Sequence, residues 1–226
     1  MNNEKKRHVI PGETIVSGAY RAEQNTVMEG NKIIATTIGL SDIHDGSVRV
    51  IPLTGGYVPR DDDLVIGKIT SHSAMSWEVN INSCYSGMLP ATDVFGRDFS
   101  SHLDDLSSKL GNGDLIATRI VNADKTRDPL LTISGRELGK IDSGELMTIS
   151  PSKVARLIGK RGSMIQMIES GSNAQITIGQ NGLIVVACDD SDGLLKAVKA
   201  IELVEEKAHA ANLTDQISEM LGLKSD

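Results

Sequence analysis

The sequence predicts a multidomain protein of β and α+β class, with a small N-terminal β domain, a five-stranded barrel and a C-terminal module of order βααββα. Three observations predict it. Glycine and proline interrupt residues 1–58 every few positions and cut them into short strands. Residues 77–82, Trp-Glu-Val-Asn-Ile-Asn, alternate apolar and polar strictly, with further strand-like runs on both sides. Residues 158–165 read I-G-x-x-G-x-x-I, two glycines holding Lys160 and Arg161 between apolar runs of helical spacing.

In the first domain, 1–58, the turns are marked by Pro11-Gly12, Gly18, Gly30-Asn31, Gly39, Asp45-Gly46 and Gly55-Gly56. Residues 33–38 and 47–51 are its strongest strands. No catalytic constellation is visible. His44 between Asp42 and Asp45 reads as turn chemistry, because no further metal ligand lies close in sequence.

Residues 60–135 carry strands at 64–70, 77–82, 87–89, 114–122 and 129–134, with a long polar loop between the third and fourth. That is the pattern of an OB-fold, a barrel that binds oligonucleotides across its second and third strands and adjoining loops. Its cations are Lys68, Arg97, Lys109, Arg119, Lys125 and Arg127, with His72 and His102 as further polar groups. Lys68, Arg97, Arg119 and Arg127 are the candidate RNA contacts. Trp77 reads as core, and aromatic residues make up only 3% of the chain, which favours contacts to the RNA backbone over base stacking. Residues 136–144 form a linker short enough to hold its neighbours at a fixed angle.

In the third domain, 145–211, a strand at 145–149 leads to Ser150 as helix N-cap and Pro151 at the first helical position. Val154, Ala155, Leu157 and Ile158 give the first helix an apolar side, and Gly159 ends it. A second helix from about Ser163 places Met164, Ile165, Met167 and Ile168 on one face. Strands at 174–178 and 183–187 flank an Asn181-Gly182 turn, and a long helix from Ser191 carries Leu194, Leu195, Val198, Ile201 and Val204. The tail, 212–226, holds a last helix at 214–221, ended by Gly222. The loop suits a phosphodiester backbone: glycines allow close approach, helix-start amides donate, and two cations add charge. The order and the loop resemble a type I KH domain, whose GXXG loop clamps about four nucleotides. The candidate RNA contacts here are Arg156, Ile158, Gly159, Lys160, Arg161, Gly162 and Ser163.

Charge and composition set limits. The net charge is −7, and no domain is basic: residues 1–59 carry six cations and six anions, 60–135 seven and eleven, 145–226 eight and eleven. A broad electrostatic grip on duplex DNA is therefore excluded, whereas a four-nucleotide clamp on a single strand needs few cations. Cys84 and Cys188 lie far apart, which argues against a disulfide framework or cysteine-rich zinc site and suits a reducing compartment. Residues 1–13 are charged, without the apolar stretch of a signal peptide, and no run approaches membrane-span length. Asp61-Asp62-Asp63, Asp104-Asp105 and Asp189-Asp190 read as loop carboxylates, and no Ser-His-Asp, H-E-x-x-H or phosphate-loop signature accompanies them.

The whole order resembles the RNA-binding cap subunits of the archaeal exosome, of the ribosomal-protein-S-one plus KH type. The marks are residues 151–165, Leu138-Gly139, and Tyr57-Val58-Pro59 leading to Val65-Ile66-Gly67-Lys68-Ile69. Two departures stand out: Asp61-Asp62-Asp63, where the family more often has a glycine before the aspartate, and the sparse surface aromatics. The resemblance implies a non-catalytic, cytoplasmic protein without cofactor or metal. Three cap subunits, as homotrimer or mixed trimer, would sit on a hexameric ring of RNase-PH-like subunits that degrade RNA phosphorolytically from the 3′ end. The N-terminal domain would dock on the ring, while the barrel and KH modules hold single-stranded RNA, A-rich tails included. Two other readings stay open at the level of sequence: a standalone RNA-binding factor in translation or transcription, and a scaffold that uses its KH fold for protein docking.

Overall fold

The computed structural model describes residues 6–124, 126–208, 210 and 212–223. Contacts divide the chain between Gly55 and Gly56 into two compact units. The first unit is made of β1 (His8–Val9), β2 (Thr14–Ser17), β3 (Arg21–Ala22), β4 (Thr26–Glu29), β5 (Lys32–Ala35), β6 (Gly39–His44) and β7 (Ser47–Pro52). They form two sheets, β1-β6-β7-β3 and β2-β5-β4, around Val9, Ile33, Ala35, Val48 and Val50. The β6–β7 hairpin turns on Asp45 and Gly46, both at positive φ, as the Asp-Gly pair predicts. One expectation needs correcting. The apolar run 33–38 is not one strand: β5 ends at Ala35, the chain bends, and β6 starts afresh at Gly39. Apolar content alone does not show where the backbone leaves the ladder.

The second unit opens with the barrel: β8 (Leu64–His72), β9 (Ser76–Asn80), β10 (Ser86–Pro90), α1 (Ala91–Phe95), β11 (Leu115–Asn122) and β12 (Leu130–Thr132). β8 lies between β9 and β11, β9 pairs with β10, and β12 closes the barrel by pairing parallel to β10 and antiparallel to β11. Alternation does what it should, since Trp77, Val79 and Ile81 point inward and are fully buried while Glu78 and Asn80 are exposed. The Trp77 indole donates to Leu110 O at 2.9 Å and stacks on Phe95, with ring centroids 6.3 Å apart. The loop between the third and fourth strands is thus more than a polar connection. It carries α1 and a 3₁₀ turn at Leu106–Ser108, and buries Leu106 and Leu110 over Trp77.

The acidic runs are structural. Asp61 accepts from Ala123 N at 2.6 Å and Asp63 from the Tyr57 hydroxyl at 2.6 Å. Burial, and then the bond to Asp63, push the Tyr57 phenol far above its usual range. Asp105 accepts from Ser107 N at the start of the 3₁₀ turn, and Asp190 caps the long helix through Gly193 N at 3.1 Å.

The third module follows as β14 (Glu145–Thr148), α2 (Val154–Ile158) behind a 3₁₀ turn, α3 (Ser163–Ser172), β15 (Gln175–Ile178), β16 (Leu183–Ala187), α4 (Ser191–Lys207) and α5 (Leu213–Met220). The sheet is antiparallel, in the order β14-β16-β15. Three details differ from the sequence reading. The Ser150 hydroxyl does not cap the helix but donates to Glu205 Oε1 at 2.7 Å, so α4 draws it away. The buried face of α4 is Gly193, Ala197, Ala200, Ile201 and Val204, while Leu195 is 55% exposed. Small residues are needed there because α3 lies close: a Cβ on Gly193 would stand 2.3 Å from Ser172 O. The tail helix α5 is part of this core, through Leu213, Ile217 and Leu221.

Residues 136–144 are not a free linker either. Gly139–Ile141 form a further strand that pairs with β11 and extends the barrel sheet. The KH sheet then leans on the barrel through Leu183 and Val185 against Ile66, with Leu115 and Ile141 beside them. At the tip of the β15–β16 hairpin, Asn181 is completely buried in the junction. Its Nδ2 donates to Ile66 O at 2.7 Å and Ile81 O at 2.8 Å, and its Oδ1 accepts from Ile66 N at 3.3 Å. Gln180 N donates to Leu64 O at 2.8 Å, and Asn82 Nδ2 to Asn181 O at 2.8 Å. A turn residue in the sequence is, in the structure, the bolt between two modules.

Candidate nucleic-acid interface

The loop between α2 and α3 is built by backbone conformations that favour glycine. Gly159 sits at φ 74°, ψ −179°, and a Cβ there would lie 2.7 Å from the Met164 Cβ and 2.8 Å from its amide. Gly162 is left-handed at φ 81°, ψ 10°. Between them Arg161 is also left-handed, at φ 55°, ψ 30°, an unfavourable conformation for a residue with a Cβ. Strain of this kind gathers where a loop must present a particular shape. α3 starts with no side-chain cap and no acidic residue in its first turn, so its positive end is unopposed. Lys160, Arg161 and Ser163 are exposed, and among the described residues neither cation has an ionic or hydrogen-bonded partner.

The other candidates of this module turn out to be structural. Lys153, counted among the four cations around the loop, donates to Glu205 Oε1 at 2.9 Å and to Glu205 O at 2.6 Å. Burial works against the Glu205 charge, but bonds from Ser150 and Lys153 outweigh it and hold the carboxyl below its usual value. Arg156 points to the segment after α4, with Nη2 3.3 Å from Ala210 O and Nε buried without a partner among the described residues. Ile158 is half-buried against the core. The loop's positive charge therefore comes from Lys160 and Arg161 alone.

The structure does not gather the barrel candidates into one cluster. Lys68 is exposed on β8, paired across to Asn80 and Leu115, and Arg97 is exposed just after α1. Arg119 is occupied: Nη1 donates to Asp62 O at 2.8 Å and lies 3.3 Å from its carboxylate, tying down the entry turn. Arg127 is exposed in the β11–β12 loop, beside Lys125, which lies outside the described residues. His72 and His102 are exposed, and Lys109 lies 6.0 Å from the Phe95 ring centroid. The outward face of β9 and β10 carries Glu78, Asn80 and a 43% exposed Met88. Bonds from Ser71 and then Ser86 keep the Glu78 carboxyl below its usual range. That face is neither basic nor aromatic, so the barrel offers scattered polar contacts rather than a stacking platform.

An OB barrel bolted to a KH domain with a free GXXG loop defines a class, the modular binders of single-stranded nucleic acid. The particular family follows from comparison with known proteins. Residues 6–54 match the family described as the exosome RNA binding protein RRP4 N-terminal domain, and residues 144–203 match the KH domain. The exosome complex component Rrp4 of Nitrosopumilus maritimus is 65% identical over 223 residues, which cover 99% of both chains. That of Methanobrevibacter smithii is 40% identical over 99% of this chain and 73% of its own. A solved structure described as an exosome complex RNA-binding protein superposes with a TM-score of 0.70 at 40% identity, covering 74% of this chain and 96% of that one. The chain belongs to the Rrp4 family of exosome components.

Proposed function

We propose that the chain is a non-catalytic RNA-holding subunit that caps a phosphorolytic ring of RNase-PH-like subunits and feeds single-stranded RNA, A-rich tails included, to 3′-end degradation. The proposed assembly has three cap subunits per hexameric ring, as homotrimer or mixed trimer, with residues 1–55 as the docking domain, in the cytoplasm. The observation that carries the RNA reading is the GXXG loop, where two unpartnered cations flank an uncapped helix start. The barrel candidates Lys68, Arg97, Arg119 and Arg127 would add contacts along the same strand. Family membership supports the ring as partner, since the relatives are exosome components by name.

The test replaces Lys160 and Arg161 by Asp. Both are exposed, so the fold should survive, while charge-assisted contacts worth about 1.5–3 kcal/mol each turn repulsive. Affinity for a short single-stranded RNA should fall at least about tenfold, with a flatter salt dependence. Unchanged RNA affinity in a folded double variant would count against this loop. Sedimentation with the ring subunits tests docking separately, and full-length protein that ignores the ring would favour a standalone RNA-binding factor.

A further inference from the structure

A cleft of about 300 Å³ opens where the barrel meets the KH sheet, away from any candidate residue above. One wall is the barrel's last strand and the turn after it, with Lys140, Asp142 and Ser143; the other is the KH sheet, with Gln175 and Thr177. Thr177 pairs with Val185 and Gln175 with Ala187 across β15 and β16. All four lie on the sheet face that leans on the barrel, because Val185 packs against Ile66. Val185 and Ala187 give the cleft an apolar floor. Among the described residues, no hydrogen bond engages the side chains of Asp142, Ser143, Gln175 or Thr177. Lys140 is fixed at the rim by Asp114, 2.7 Å away. An apolar floor with a few convergent polar groups at a module junction is how small-ligand sites are built.

We propose that this cleft is a ribonucleotide subsite that selects a base bearing an exocyclic amine; the proposal rests on the RNA-binding reading above. The floor accommodates the flat face of a base. The Asp142 carboxylate, acceptor only, takes a hydrogen bond from an amine such as cytosine N4 and repels the uracil O4 carbonyl. Gln175 meets the remaining base edge, and the Ser143 and Thr177 hydroxyls meet a ribose 2′-hydroxyl, the group that separates RNA from DNA. The free sheet edges beside the cleft could instead receive an extended peptide. Polar side chains without partners over an apolar floor favour the base.

The experiment measures binding of the full chain to labelled C8 and U8 oligoribonucleotides by fluorescence anisotropy at low salt. These bases have nearly the same shape and differ chiefly in amine against carbonyl. Wild-type protein should prefer C8 about tenfold. Asp142→Ala should bring the ratio to within about twofold, as should Ala187→Leu, which fills the floor. The Lys160/Arg161 double variant should weaken both oligomers by a similar factor and keep the ratio. Equal wild-type affinities, or a ratio unchanged by Asp142→Ala, would overturn the subsite while leaving the loop reading standing; the second outcome would point to a peptide occupant. Binding to neither oligomer would overturn both.

Discussion

Replacing Asn181 by Ala should loosen the barrel from the KH domain without unfolding either. The substitution removes two donated bonds, 2.7 Å to Ile66 O and 2.8 Å to Ile81 O, and the longer 3.3 Å acceptance from Ile66 N. Asn181 and Ile66 are fully buried, so water cannot readily replace the lost partner. Each buried group left unsatisfied costs about 1–3 kcal/mol, and the 3.3 Å contact belongs at the low end. The junction should therefore lose about 3–6 kcal/mol, enough to make separation of the modules frequent. A single melting temperature is a poor readout for a chain of several modules. The better one is amide hydrogen exchange at Ile66, whose N–H bonds to Asn181 and whose protection reports opening of the junction itself. Protection there should fall by at least about a hundredfold, while Val79 in the barrel and Val204 in α4 change little. Asn181→Asp should be at least as damaging, because a carboxylate would face two carbonyl oxygens. Unchanged Ile66 protection in Asn181→Ala would refute the assignment, and would mean that Leu183 and Val185 against Ile66 hold the junction unaided.

Two further predictions concern the same module. Gly159→Ala should destabilise the KH domain by about 2–3 kcal/mol, because both its φ and the 2.7 Å approach to Met164 oppose a Cβ, whereas Gly162→Ala, with nothing nearer than 3.7 Å, should cost only about 1–2 kcal/mol; denaturant titration of the two variants checks the order. Glu205, held below its usual 4.5 when folded, binds a proton less readily than in the unfolded chain, so its contribution is complete above that pH and drains away as acid titrates the folded carboxyl; Glu205→Gln should flatten the acid limb of a stability–pH curve.

The sequence made the elements legible wherever a local rule decided them. Strict alternation placed Trp77 and Val79 inside the barrel, Asp-Gly gave the β6–β7 turn, and two glycines bounded the loop that Lys160 and Arg161 occupy. It was silent wherever a distant partner decided the outcome. Nothing local distinguishes Lys153 from Lys160, yet Glu205, far along the chain, engages one and leaves the other free. Leu195 fits the helical spacing as well as Ala197 does, but the close approach of α3 selects the small residue. Asn181 is the sharpest case. Asn-Gly predicts a turn, and the turn is there, but the burial of its side chain depends on strands more than a hundred residues away in sequence. The cleft at Asp142 and Gln175 had no signal at all, since its two walls come from modules that the sequence treats separately.

The rigid junction bears on how an acidic chain can hold RNA. Two free cations neutralise about two phosphates, which gives a salt slope near −1.4 for a single strand and weak binding in isolation. A flexible tether between KH and barrel would let the second contact form only at an effective concentration diluted over all orientations of the linker. Here the linker is taken up as a strand on β11, and Asn181 bolts the hairpin tip to β8, so barrel and KH surfaces hold one fixed relation. A strand gripped at Lys160 and Arg161 then meets the barrel without further ordering cost, and weak contacts add along its length instead of competing. Repeating that fixed pair of surfaces around one pore, as in the proposed assembly, would retain RNA through number and geometry, which suits a subunit that must pass the strand onward rather than trap it.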